Sequence, residues 1–167
     1  MGRGVIISPQ KKDKSGPFTI ISGAALQPGW ERYIERPITS ASANCRGGQT
    51  SRGQCSAKAW SDNMGWDEDQ TSGTLSASVR VNFLPNMVGK TLYATWTCES
   101  SARWGSFPVS VYTAKLTLAS GQRNVNGSRE FVFVDGSSYL IISAGADFST
   151  SRWAPSATAT LHTLMIL

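Results

Sequence analysis

Between Thr74 and Phe83 the chain alternates without a break. Leu75, Ala77, Val79, Val81 and Phe83 are apolar, and Ser76, Ser78, Arg80 and Asn82 between them are polar. A period of two marks a strand with one buried and one solvated face, because successive side chains of an extended backbone point to opposite sides. A helix would scatter the same residues around its whole circumference. After turn signals at Pro85 and Gly89 the pattern returns, with Leu92, Ala94, Trp96 and Cys98 set against Tyr93, Thr95 and Thr97. Phe107, Val109 and Val111 continue it. The apolar phase then moves to Tyr112, Ala114, Leu116 and Leu118, which predicts a bulge or a strand crossing from one environment to another. GQRNVNG reads as a long turn. EFVFV and YLIIS read as two central strands around the short turn DGSS. In the closing segment Ala157, Ala159, Leu161, Thr163, Met165 and Leu167 alternate with Thr158, Thr160 and His162.

The first half is less regular. PFTIISGAAL and RYIERPITSAS read as strands, the second confined by Pro37 to an edge or bend. Residues 44–56 read as a Gly-rich polar loop, and QCSAKAWS as a further strand. About eight or nine strands separated by Gly, Pro, Asn and Ser predict an all-β fold, an antiparallel β-sandwich of jelly-roll type. Residues 1–17 are expected to form an extended N-terminal arm, and residues 18–167 a single sandwich domain. Composition agrees. Charged residues are 16% of the chain, against roughly 25% in ordinary soluble proteins, while 10% aromatics argue against disorder.

Several functions lose their basis here. No apolar run approaches the ~20 residues that span a bilayer, and the first residues lack the apolar core of a secretory signal, so neither membrane insertion nor export is expected. Three cysteines do not make a disulfide framework. Cys45 and Cys55 bracket the loop CRGGQTSRGQC and are a candidate disulfide, with a reduced pair equally compatible. One histidine with scattered cysteines cannot supply a zinc site, and no metal or other cofactor is expected. The formal net charge of +5 is unevenly placed, +6 over residues 1–58, −4 over 59–69 and +3 over 70–167. That keeps an anionic partner open. The one compact basic group is Lys11, Lys12 and Lys14 in the arm, joined by Arg3 and diluted by Asp13. These are few bases for tracking phosphates, and nucleic acid is not the expected partner.

No catalytic constellation emerges. His162 is the single histidine and stands among threonines on the polar side of its strand. No Gly-x-Ser-x-Gly turn is present, and an enzyme is not expected. The acidic stretch SDNMGWDEDQ lacks the ligand order of a calcium loop. It also lacks the opposed carboxylates of a glycosidase, and it reads as a solvated loop, with a weak cation site or a contact for the basic arm as the alternatives. The tryptophans are the best lead. Trp96 belongs to a core phase, whereas Trp30, Trp60, Trp66, Trp104 and Trp153 stand beside Gly, Ser, Asp or Arg. Loop indoles stack on sugar rings or anchor protein interfaces, or else cap the ends of a sandwich.

The segments TLSASVRVNF, GKTLYATW and YLIIS…ATATLHTLMIL resemble jelly-roll carbohydrate-binding modules of the kind that recur in bacteriophage virion proteins. The resemblance spans residues 70–167 and implies a fold and a general role. Three readings follow. The first is a non-enzymatic component of a virus particle, a bacteriophage capsid decoration or fibre protein. Its basic arm, Arg3, Lys11, Lys12 and Lys14, would bind neighbouring virion subunits in a homo-oligomer, with a trimer favoured, and its location would be the virion. The second is a lectin-like module that reads a cell-surface glycan through its loop tryptophans. The third is a small coat protein whose arm faces nucleic acid.

Overall fold

Two antiparallel sheets account for the alternating segments. The computed structural model describes residues 17–62, 72–102, 104–135, 138–149 and 155–167. Its strands are β1 (Phe18–Ser22), β2 (Ala25–Leu26), β3 (Ile38–Asn44), β4 (Gly48–Arg52), β5 (Ser56–Ser61), β6 (Gly73–Asn82), β7 (Thr91–Ser101), β8 (Gly105–Ser106), β9 (Pro108–Thr113), β10 (Thr117–Gln122), β11 (Gly127–Val132), β12 (Tyr139–Phe148) and β13 (Ser156–Ile166). One sheet runs β11-β7-β13. The far edge of β13 is shared, with β5 and then β4 along its first half and β1 and then β2 along its last residues. The other sheet runs β10-β9-β12-β6-β3, and β8 extends the line of β9 along β12. From β5 onward the chain changes sheet at each connection except within β8–β10. This alternation is the jelly-roll way of closing a sandwich, and the expected antiparallel β-sandwich is the observed fold.

The alternation of β6 and β7 is fulfilled. Leu75, Ala77, Val79 and Val81 of β6 turn into the core from one sheet and Leu92, Ala94, Trp96 and Cys98 of β7 from the other, and all are buried. Around the end of β7 the core is built of small side chains, Ala57 and Ala59 from β5, Ala144 and Ala146 from β12, and Ala157 and Ala159 from β13. Face-to-face sheets ordinarily lie ~10 Å apart. Here side chains of one sheet reach the backbone of the other. The Cys98 thiol donates to the Ser143 carbonyl at 3.1 Å and lies 3.8 Å from that of Ser110, and the Ser100 hydroxyl donates to Gly145. Toward the opposite end larger groups take over, including Ile20, Leu92, Leu140 and Leu164, together with the tilted pair Phe83 and Phe133 at 4.6 Å.

Several local expectations are corrected. The register of β13 against β7 shifts between Leu161 and Thr163. Beyond that bulge Leu164 and Ile166 turn inward, and Met165 faces outward. The extra residue reverses the phase of everything after it. The phase change near Tyr112 combines a hairpin with a register shift: the Thr113 hydroxyl accepts hydrogen bonds from the amides of Lys115 and Leu116, at 3.2 and 3.0 Å, and β10 returns along β9 with an irregularity between Thr117 and Ala119. EFVFV and YLIIS are not paired. β11 is an edge strand of one sheet and β12 is central in the other. The loop over 44–56 contains β4, and the segment before Pro37 holds a short 3-10 helix, Trp30–Arg32. Pro37 does precede an edge strand, β3.

Cys45, Cys55 and Cys98 are free thiols, so the candidate Cys45–Cys55 bridge is not formed. Burial pushes the Cys55 and Cys98 thiols from 9.0 up to about 11. A proton held more tightly in the folded chain stabilises it fully below pH 9, and that contribution is lost as pH rises through 11. The urea midpoint is therefore expected to fall between pH 9 and pH 11, and less steeply in Cys55→Ala. In the native chain a thiol reagent should titrate Cys45 alone, the other two reacting only on unfolding.

Candidate functional site

β7 carries the site on its outer face and edge. Cys98 and Ser100 point inward, so Glu99 and Ser101 point to solvent. The turn between β10 and β11, residues 123–126, lies along this edge and is tied to β7 by several hydrogen bonds. The Ser100 amide donates to the Arg123 carbonyl at 2.7 Å and the Val125 amide to Cys98 at 3.1 Å. The indole Nε1 of buried Trp96 donates to the Val125 carbonyl at 2.6 Å. Asn126 Oδ1 accepts from the Cys98 amide at 2.7 Å, and Asn124 Oδ1 accepts from the Asn126 amide at 2.8 Å. Arg123 sits at φ 71, a left-handed conformation that costs roughly 1–2 kcal/mol in a residue with a Cβ. Its side chain shows what holds it there, with Nη1 donating to the Ala102 carbonyl at 2.9 Å and the guanidinium 4.2 Å from the centre of the Phe107 ring.

The outcome is a preassembled polar cluster. Glu99 Oε1 accepts from the side-chain amides of Asn124, at 3.4 Å, and of Asn126. Glu99, Ser100, Ser101, Arg123 and Asn124 line a shallow depression of about 310 Å3. It offers one carboxylate, an amide, a guanidinium and the Ser101 hydroxyl, the Ser100 hydroxyl being turned into the core. Such groups hold pairs of hydroxyls by bidentate hydrogen bonds. Acid-base cleavage of a glycosidic bond calls for two opposed carboxylates, and the lining provides one. Among the described residues no three His, Cys, Asp or Glu side chains cluster so as to hold a metal ion, and no helix is long and apolar enough to cross a membrane.

Two of the candidate tryptophans come to this end. Trp104 lies on the connection from β7 to β8, just beyond Ala102, whose carbonyl Arg123 holds, and it is 48% exposed. Trp60 faces outward on β5, in one row with Ser156 and Ser101, about 10 Å from β7 at the usual strand spacing. Its Nε1 donates to Asp62 Oδ1 at 2.9 Å, and the Lys58 ammonium lies 5.3 Å from its ring centre. Trp30 belongs to the other end, where it packs half-buried against the core with the Arg36 guanidinium 5.1 Å from its ring. It caps the sandwich. Trp66, Trp153, Arg3, Lys11, Lys12, Lys14 and the acidic loop beyond Asp62 lie outside the described residues. Sequence reading missed Glu99, Arg123, Asn124 and Asn126. Their signals were a carboxylate on the wet face of a strand and two asparagines in one turn, and only the fold joins them.

The chain matches no known protein-family profile and none of the curated proteins. Among solved structures it is similar to the carbohydrate-binding module TmCBM61 in complex with β-1,4-galactotriose, at 13% identity and a TM-score of 0.39, over 84% of this chain and 95% of that one. It is also similar to the enzymatically active domain of tailspike protein 4 of bacteriophage CBA120, at 10% identity and a TM-score of 0.32, over 79% of this chain and 19% of that one. At these values neither likeness carries a functional argument, which rests on the site itself.

Asn126 links the turn to both the Cys98 amide and Glu99, so Asn126→Ala leaves a strand donor unpaired. A loss of about 1–3 kcal/mol is expected, read as a lower urea midpoint, whereas Asn124→Ala, whose side chain accepts from the exposed Asn126 amide and not from a buried strand donor, should cost less.

Proposed function

We propose that this chain is a non-catalytic glycan-binding β-sandwich. The observation that carries the reading is the Glu99, Asn124, Asn126 and Arg123 cluster, built before any ligand arrives, with the half-exposed Trp104 two residues along the chain from Ala102, whose carbonyl Arg123 holds. A sugar ring presents an apolar C–H face and a rim of hydroxyls. An indole takes the face, and carboxylate and amide groups take hydroxyl pairs. Side chains already held by the fold lose little freedom on binding.

A second reading, a structural component of a bacteriophage particle, has its own support at the other end of the molecule. Val88, Val132, Val134 and Leu167 are all exposed there. A particle component would use such an end for attachment and leave the tryptophan end outward. The two readings are compatible.

The test is a glycan array on the purified chain followed by calorimetry with the strongest hit. Trp104→Ala and Glu99→Gln should each weaken binding at least tenfold with thermal stability nearly unchanged, and Val134→Ser should bind like the parent chain. An array without hits, or parent-like binding by both site variants, contradicts the proposal.

A further inference from the structure

β11 ends one sheet, and its outer edge is unpaired among the described residues. It pairs with β7 on one side, from Gly127 opposite Trp96 to Val132 opposite Thr91, and among the described residues no strand pairs with its other side. The ladder runs on past β11, with the Phe133 amide donating to Lys90 at 2.9 Å and the Gly89 amide donating to Phe133 at 2.7 Å. Phe131 and Phe133 are buried, and Val132 and Val134 are 53% and 46% exposed. Glu130 and Asp135 bracket the two valines. An edge with free backbone groups and exposed β-branched side chains is a template for another strand, and stable proteins cover or disable such edges. This one carries neither a proline nor a lysine between Glu130 and Asp135.

The chain holds a segment that fits. Residues 1–16 precede the described part and read MGRGVIISPQKKDKSG. Val5, Ile6 and Ile7 are strong strand formers, Arg3 suits the bracketing carboxylates, and the segment's formal charge is +3. Phe18 is paired with Ile166, and the Leu167 amide donates to Thr91 at 2.9 Å. Thr91 is in turn opposite Val132. The arm thus leaves the sandwich at the same end as the free edge, roughly 15 Å from it across three strand spacings. Folding back onto its own edge would draw Lys11, Lys12 and Lys14 over Leu167 and past Lys90. Reaching outward leaves them in water, and the ten residues from Ile7 to Gly16 span up to ~35 Å when extended.

We infer that Val5–Ile7 of one copy add as a strand to the free edge of β11 in a neighbouring copy, with Arg3 against Glu130 or Asp135. Backbone hydrogen bonds supply the affinity, and Val132 and Val134 supply an apolar seat, as in other strand additions. The exchange is head-to-tail, so it closes into a ring if its rotation permits.

The experiment uses full-length chains, light scattering and two variants, Ile6→Asp with an intact edge and Val132→Glu with an intact arm. The parent chain is expected to show at least twice the monomer mass, and each variant alone the monomer mass. An equimolar mixture of the two should form a complex of two chains, the arm of one on the edge of the other. A monomeric parent, a variant that stays associated, or a mixture that stays monomeric overturns the inference. Circular dichroism checks that each variant folds. Val134→Glu replaces Val132→Glu should the latter fail, and the same three outcomes then apply.

Discussion

The hydrogen bonds that Cys98 and Ser100 donate into the facing sheet set the placement of everything at the tryptophan end. They require the sheets to come close, and the alanines of β5, β12 and β13 allow it. With Cys98 and Ser100 turned inward, strand alternation leaves Glu99 and Ser101 nowhere but the outer face. The same strand then anchors the turn that completes the site, through the Trp96 indole on Val125 and the Cys98 amide on Asn126. A surface of this kind inherits its rigidity from a buried strand, the support that loop-borne sites most need.

Much of this architecture was legible in the chain, and the failures have physical causes. The regular strands β6 and β7 could be read because one face is buried along their whole length, which forces period two. The last strand was misread after Leu161, since one extra residue at a bulge leaves no mark in composition while reversing every later side chain. The hairpin at Thr113 was missed because its turn uses a hydroxyl in place of Gly or Pro. EFVFV looked central because its apolar residues run together. In the fold two of them are core, and the valines between them are left exposed at an edge. The site was half visible. Trp60 and Trp104 stood out as loop indoles, whereas Glu99 and Asn126 lie 27 positions apart and meet only because the β10–β11 turn is laid along β7.

The resulting molecule has two chemically distinct ends. Thr91 to Ser101 runs the length of β7, roughly 33 Å at strand rise. Its first residue lies among exposed Val132 and Leu167, and its last beside Trp104 and the polar depression. The outer faces between them are rich in hydroxyls, such as the row Ser120, Ser110, Ser143, Ser78 and Ser40 across one whole sheet. Short hydroxyl side chains keep these faces wet and uncharged, in keeping with a chain of low charge content. An apolar end is thus separated from a polar, aromatic end, and the proposed association and the proposed glycan binding use different surfaces.

Glycan recognition by the Glu99 end has one direct signature, the place where a ligand touches the chain. The direct measurement is a titration of the isotope-labelled chain with its best array glycan, followed by nuclear magnetic resonance. Shifts at the side-chain amides of Asn124 and Asn126 and at the indole of Trp104, with Val132 and Leu167 unmoved, are the predicted result. Shifts confined to the Val132 end or to the serine-lined outer face, with the Asn124 and Asn126 amides unmoved, would contradict it.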